Sequence, residues 1–290
     1  MQVTIGIPFF NAEEYLEGAI RSIFAQSHTD WELILMDDGS TDRSLEIAQA
    51  VDDPRVRVFS DGNNKKLAAR LNEIVELANY DFIMRMDADD LCSPDRLERQ
   101  LKVLTENPEI DIVSSGLISM SDEFDVLGAR WHYETTITRA QLLRKKGSGI
   151  VHAAVLGRRK WFQRNPYDPT VPIAQDYDLW LRSSRKSDLS VHIIQAPLYY
   201  VREANSVTMK KLLKSYGIDR KAIIKNRRHV GDLRFVIKSY IKSLVLIVIV
   251  MTGNIDWLIR RRNKQDIPEN LLTTFYANLK IIQNTFVKGL

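Results

Sequence analysis

At 290 residues, with 44% hydrophobic and 27% charged side chains, the chain has a globular composition and enough length for a sizeable core. A single cysteine, Cys92, excludes an internal disulfide framework and a cysteine-rich zinc site, and suits a reducing compartment. The net charge of +4 conceals an asymmetry: residues 201–290 hold 18 Lys and Arg against 6 Asp and Glu, whereas residues 1–200 hold 23 against 31. An acidic front suits cations and a basic tail suits an anionic surface.

The first hundred residues alternate strand and helix patterns. Val3–Phe9 reads as a strand, with no basic-then-apolar leader before it, so a cytosolic protein is expected. Asn11, with Glu14 three residues on, has capping-box spacing for a helix whose apolar face is Tyr15, Leu16, Ala19, Ile20, Ile23 and Phe24. Trp31–Met36 is a second strand ending in Asp37-Asp38-Gly39-Ser40-Thr41-Asp42, followed by a short helix around Leu45, Ile47 and Ala48. Val56–Phe59 is a third strand, Leu67–Ala78 a helix, and Asp81–Met86 a fourth strand. That rhythm predicts an α/β fold with a mostly parallel sheet and helices on both faces.

Beyond Pro94, which is expected to open a helix carrying Leu97, Leu101 and Leu104, the pattern becomes mixed. Ile110–Met120, Val126–Arg130 and Val151–Leu156 read as strands and Asp176–Ser184 as a helix anchored by Trp180 and Leu181. From about Ser206 the chain reads as Lys- and Arg-rich helices around one apolar run, Leu244–Met251.

The chemistry concentrates in Asp87-Ala88-Asp89-Asp90, at the end of the fourth strand. Carboxylates crowded there repel one another and lose hydration, a cost that Mg²⁺ or Mn²⁺ would offset through hard oxygen ligands. Ligands of open α/β sheets bind at the carboxyl ends of strands, where Asp37 and Asp38 also fall.

Five segments in order carry a resemblance: Pro8-Phe9-Phe10-Asn11-Ala12-Glu13, Ser22-Ile23-Phe24-Ala25-Gln26-Ser27, Asp37-Asp38-Gly39-Ser40-Thr41-Asp42, Arg85-Met86-Asp87-Ala88-Asp89-Asp90 and Gln175-Asp176-Tyr177-Asp178-Leu179-Trp180-Leu181-Arg182. Over roughly residues 1–205 the chain resembles the family 2 inverting glycosyltransferases of GT-A fold. The resemblance implies a Rossmann-type GT-A-like domain over 1–205, with a nucleotide-binding part (1–105), an acceptor part (106–205) and a basic helical extension (206–290). It implies a nucleotide-sugar donor, UDP-linked by preference, whose pocket is lined by Pro8, Phe10 and Glu13, with Asp38 on the uracil or ribose side. Asn72 and Asp87 join the donor site, Asp89 binds the metal directly, and Asp176 is the general base. His152 matches a histidine on the acceptor side. The acceptor is expected to be a glycan or lipid-linked, in surface polysaccharide synthesis. Lys66 departs from the pattern, which commonly has glycine there; Lys65 and Lys66 suit either the donor diphosphate or a solvated loop, and Arg70 reads as a surface helix residue. Asp178, two residues from Asp176, faces another way and reads as a helix N-terminal acid.

Two readings stand for the tail. Lys242, Asn254 and Asp256 interrupt its apolar stretch, leaving it short of the ~20 residues of a spanning helix. It either lies on anionic lipid as a peripheral element at the inner face of the plasma membrane, or packs on the catalytic domain as a soluble appendage. Its aromatics are not interleaved as a base-stacking platform needs, so nucleic acid is not expected. Among other functions, a sugar-nucleotide nucleotidyltransferase would want a Gly-rich basic loop where Pro8-Phe9-Phe10-Asn11 stands, and a non-catalytic GT-A-like assembly module would not need both Asp89 and Asp176.

Overall fold

The computed structural model describes residues 1–131, 136–144, 149–171, 173–203, 209–251 and 267–290. Strands β1 (Val3–Phe9), β2 (Trp31–Asp37), β3 (Val56–Phe59) and β4 (Phe82–Arg85) form the parallel half of one sheet, in spatial order β3-β2-β1-β4. The sheet continues through β8 (Leu156–Arg158), β6 (Ile112–Met120), β9 (Val191–Arg202) and β5 (Leu91–Cys92), with β7 (Val126–Arg130) paired to β6. Here β4–β8, β8–β6, β6–β7 and β9–β5 are antiparallel, and β6–β9 is parallel.

Strand alternation explains why helices cover both faces. Val3, Ile5, Ile7, Leu33 and Leu35 point into a core shared with Leu16, Ile20 and Ile23 of α1 (Leu16–Phe24) and Leu97, Leu101 and Leu104 of α4 (Arg96–Glu106). Ile34 and Met36 point the opposite way, onto Ile74 of α3 (Lys66–Leu77). Ile74 sits so close to Gly6 that any Cβ there would lie 2.5 Å from its side chain. On that second face, α3 is joined by α6 (Arg159–Arg164) and α7 (Gln175–Arg185), where the Trp161 and Trp180 rings stack at 5.9 Å. Short helices α2 (Ser44–Ala50) and α5 (Arg139–Arg144) complete the two layers.

Three local expectations are corrected. The first helix starts at Leu16, not after Asn11. Asn11 adopts a left-handed turn (φ 49°), and its Oδ1 accepts the Thr41 N–H at 2.8 Å instead of capping. The helix expected at Pro94 begins at Arg96. Most of Val151–Leu156 is no strand: His152–Ala154 form a 3₁₀ turn, because Ser114 Oγ accepts from Val151 N–H and donates to its carbonyl in place of a ladder.

The C-terminal part does not stand apart from the sheet. Helix α8 (Met209–Lys225) and α9 (Leu233–Met251) place Ala222, Ile223, Phe235 and Val236 in the core beneath α7. Helix α10 (Glu269–Asn284) returns to the far edge, where Phe275, Leu279 and Ile282 pack with Leu91 and Tyr200, and Val287 enters the main core. Among the described residues no helix is long and apolar enough to cross a membrane. Trp257 and Arg260 to Arg262 lie outside the described residues.

Candidate functional site

Parallel register brings the ends of β1, β2 and β4 to one rim. Phe9 pairs with Asp37, Pro8 with Met36, and the Met86 N–H donates to the Gly6 carbonyl. Pro8 is buried within β1, and Phe10 just beyond it is 48% exposed. The two rim loops are laced together: Glu13 accepts the Arg43 N–H at 3.0 Å, the Glu13 N–H donates to Asp42, and the Ala12 N–H donates to Ser44 Oγ at 2.7 Å. Asp37 accepts from Ser60 Oγ (2.6 Å) and Ser40 N–H (2.9 Å), which hold it below the usual carboxylate range despite burial.

Asp38 is a buried carboxylate engaged on several sides. It accepts the N–H groups of Lys65 (2.7 Å) and Lys66 (3.1 Å) and the Nε–H of Arg70 (2.9 Å). Arg70 is no surface residue. It is 2% exposed and also reaches Asp61 (2.6 Å), Glu73 (2.6 Å) and the Asn63 carbonyl (2.6 Å). Asp38 therefore fixes the 61–66 loop, and Lys65 turns its ammonium to Asp61 and Glu73. At Lys66 the backbone is left-handed (φ 72°), which explains why a glycine suits this position. Asn72 spends its amide on another segment, donating to the Tyr167 carbonyl (3.0 Å) and accepting the Tyr167 N–H (2.9 Å). It holds the approach to α7.

The acidic cluster lies at the end of β4. Carboxylate oxygens of Asp87, Asp89 and Asp90 come within 4.8 Å of one another. Asp90 is 4% exposed and accepts the Arg202 N–H at 2.8 Å, while Arg202 Nε–H binds the Asp89 carbonyl at 3.1 Å. Burial, with Asp87 and then Asp89 nearby, pushes the Asp90 carboxyl up; burial and Asp87 do the same to Asp89, whose residue faces solvent. This crowding of hard oxygen donors fits a divalent cation, with Asp89 the most accessible of the three.

Beneath the cluster sits Arg85, which the sequence reading did not single out. It is 5% exposed, its Nη2 donates to Asp87 at 2.5 Å, and its Nε and Nη1 have no hydrogen-bond partner among the described residues. Its charge is felt by Tyr167 and by His152, and it is itself acted on by Asp176. One guanidinium thus relates the end of β4 to the start of α7. The available signal was an arginine inside the otherwise apolar Phe82–Met86 run. Tyr199 on β9 was equally unsignalled: its hydroxyl accepts the Asp87 N–H at 3.0 Å.

Asp176 lies in the first turn of α7, half-buried, after Ala174 in a left-handed conformation (φ 60°). Asp178 points elsewhere. Its carboxylate is 2% exposed, accepting from Asn226 Nδ2 (3.0 Å) and Arg182 Nε (3.4 Å), with Lys225 at 3.6 Å. His152 stands beside Tyr167, with Nε2 2.8 Å from its hydroxyl, and its ring meets Trp180 edge-on. Burial and the Arg85 charge hold its pKa well below the ordinary histidine value.

The family model for glycosyl transferase family 2 matches residues 4–165. The chain is 33% identical to a putative glycosyltransferase, EpsE, of Bacillus subtilis (strain 168), over 77% of this chain and 80% of that one. Among solved structures it is similar to S. aureus TarS 1–349 in complex with UDP-GlcNAc (TM-score 0.63, 14% identity, 83% of this chain and 72% of that chain). It is also similar to a mannosyltransferase of Pyrobaculum calidifontis in complex with GDP-Man and Mn2+ (TM-score 0.58, 16% identity, 97% and 85%). The expected GT-A-like α/β architecture is therefore the observed one. An α/β sheet with its acids gathered at the strand ends, and a match that spans more than half its length, make this chain an enzyme that belongs to glycosyl transferase family 2.

Proposed function

We propose that the protein is an inverting glycosyltransferase that moves a sugar from a nucleotide-sugar donor, UDP-linked by preference, to a glycan or lipid-linked acceptor in surface polysaccharide synthesis. The observation that carries the mechanism is the contrast at the start of α7: Asp178 is consumed by Asn226 and Arg182, whereas Asp176 is a half-buried first-turn carboxylate whose charge is felt by the buried Arg85. The Asp176 carboxylate takes the proton of the acceptor hydroxyl as its oxygen bonds to the anomeric carbon, and the bond from that carbon to the phosphate oxygen breaks. One base and no enzymic nucleophile give one displacement, hence inversion, through an oxocarbenium-like transition state. Pro8, Phe10 and Glu13 border the nucleobase, and Asp38 and Asn72 act by fixing the loops around it. Asp87, held by Arg85, faces the ribose, and Asp89 holds Mn²⁺ or Mg²⁺. The bound cation supplies Lewis-acid stabilisation of the leaving diphosphate. His152 and Tyr167 border the acceptor side. The basic helices place the enzyme peripherally at an anionic membrane face.

The test is nucleoside diphosphate release by the purified chain across UDP-sugars and GDP-mannose, with Mn²⁺, Mg²⁺ or chelator, and the product anomer read by NMR. Activity is expected to vanish in chelator and return with cation, and Asp89→Ala should lose donor binding and turnover together. Full turnover in chelator, or retained anomeric configuration, would overturn the proposal.

A further inference from the structure

Helix α9 is built inside out. Phe235, Val236, Ser239, Ser243 and Leu246 face the protein, where Arg220 Nη1 donates to Ser243 Oγ at 2.9 Å. The opposite face is apolar and open: Ile237 is 62% exposed, Ile241 54%, Leu244 64%, Val245 52% and Val248 59%. A helix on a soluble domain presents polar residues there. The face runs for three turns without a charge, and Lys238 and Lys242, one turn apart, line one border of it. Residues 209–251 as a whole carry 11 Lys and Arg against 2 acids, so the surroundings select an anionic partner. Pairing two copies of this face would bring like-charged lysine borders together.

We propose that α9 lies in the plane of an anionic lipid surface, with Ile237, Ile241, Leu244, Val245 and Val248 entering the acyl boundary and Lys238 and Lys242 at the lipid phosphates. Long lysine stems let the ammonium groups stay at headgroup level while the face sinks in. The docking also orients the active site. Lys238 and Lys242 reach the mouth of a cavity of about 220 Å³, whose wall includes Arg144, Tyr177 and Tyr216. Tyr177 lies on α7, the helix that carries Asp176, and α7 shares one core with Phe235 and Val236 of α9, so docking of α9 fixes the attitude of α7 to the surface. The purpose of docking, presenting the base to a membrane-borne acceptor, rests on the glycosyltransferase reading; the docking itself does not.

The experiment is co-sedimentation of the full chain with vesicles of phosphatidylcholine alone or with phosphatidylglycerol, at low and high salt. Binding is expected to anionic vesicles and to fall with salt. Lys238→Gln and Lys242→Gln should each lower partitioning about fivefold. Ile241→Asp with Val248→Asp, at exposed positions that leave the fold intact, should lower it by roughly tenfold or more while nucleoside diphosphate release stays unchanged. Equal binding to neutral vesicles, or undiminished binding by the double variant, would overturn the proposal. So would a concentration-dependent dimer, seen by light scattering, that the double variant abolishes. Loss of nucleotide-sugar turnover in the unmodified chain with vesicle binding intact would instead overturn the enzymatic reading alone.

Discussion

Asp176→Asn and Asp178→Asn, compared side by side, separate catalysis from architecture at two positions of one helix. Asp178 is 2% exposed and gathers Asn226, Arg182 and Lys225 at 3.0, 3.4 and 3.6 Å. Stripping a charge from such a site costs up to ~3–5 kcal/mol when the partners are stranded. Here they are not: Lys225 keeps Asp168 at 2.8 Å and Arg182 keeps the Pro166 carbonyl at 2.5 Å. The amide can still accept from Asn226, so a loss of ~1–3 kcal/mol is expected. In a chain of this size that lowers Tm by roughly 2–5 °C. Asp176→Asn removes a half-buried first-turn carboxylate and should lower Tm less than Asp178→Asn does. The amide cannot take the acceptor proton, so kcat should fall ~10²–10⁴-fold, or about 2.7–5.4 kcal/mol in the barrier, with donor affinity preserved. Thermal melts, donor titration and single-turnover transfer measure all three quantities. A crippled but stable Asp178→Asn beside an active Asp176→Asn would refute the assignment.

Two further changes test the loop that Asp38 organises. Lys66→Gly relieves a left-handed φ that costs an L-residue ~1–2 kcal/mol, partly offset by the greater freedom of glycine in the unfolded chain, so Tm should rise by roughly 1–2 °C, and a fall would show the strain is absent. Arg70→Met takes one partner each from Asp38, Asp61 and Glu73, which keep the Lys65 and Lys66 backbone N–H groups or the Lys65 ammonium, and should cost ~1–3 kcal/mol in a denaturant titration. The same variant carries a pH signature. Hydrogen bonds from Arg70 and then Lys65 hold Asp61 well below the usual carboxylate range, and against its burial the bonds from Lys65 and Arg70 hold Glu73 below it. A depressed folded pKa gives stability that is present above the unfolded value and lost as pH falls through the folded one. The parent should therefore lose Tm steeply from about pH 5 downward, and Arg70→Met should show a shallower slope over that window. Parallel Tm profiles for the two proteins would refute the assignment.

The parallel half of the fold was legible because each strand announces itself locally. Val3, Ile5 and Ile7 alternate with Thr4 and Gly6, and each strand ends in a polar rim. What was hidden depends on partners distant in sequence. Arg70 looks like any helix-surface arginine until the chain brings Asp38, 32 residues away, against its Nε. Asn72 reads as a donor-site amide, yet its hydrogen bonds go to Tyr167, 95 residues on. The Val151–Leu156 run has the composition of a strand, but a single hydroxyl, Ser114 Oγ, satisfies the Val151 backbone and ends the ladder. In α9 the apolar run is legible in the sequence and its facing is not: only packing against α7 and α8 puts Leu246 on the buried side and leaves Ile237, Ile241, Leu244, Val245 and Val248 facing outward.

The acidic cluster raises a last physical question: how three carboxylates stay together at the end of a core strand. Two cations of the chain itself answer part of it. Arg85 offers Asp87 an N–H from below, and Arg202 straddles the turn, its backbone N–H on Asp90 and its Nε–H on the Asp89 carbonyl. Arg202 is kept in place in turn by Tyr15 and Phe124, whose rings lie 4.7 and 5.0 Å from its guanidinium carbon. The compensation is incomplete, since burial and mutual repulsion still push Asp89 and Asp90 toward their protonated forms. For groups shifted in that direction, ionisation at neutral pH works against folding, so a divalent cation would gain both its own ligand energy and the relief of that repulsion. Thermal melts should then show Mn²⁺ stabilising the protein at neutral pH and progressively less as acid protonates the cluster.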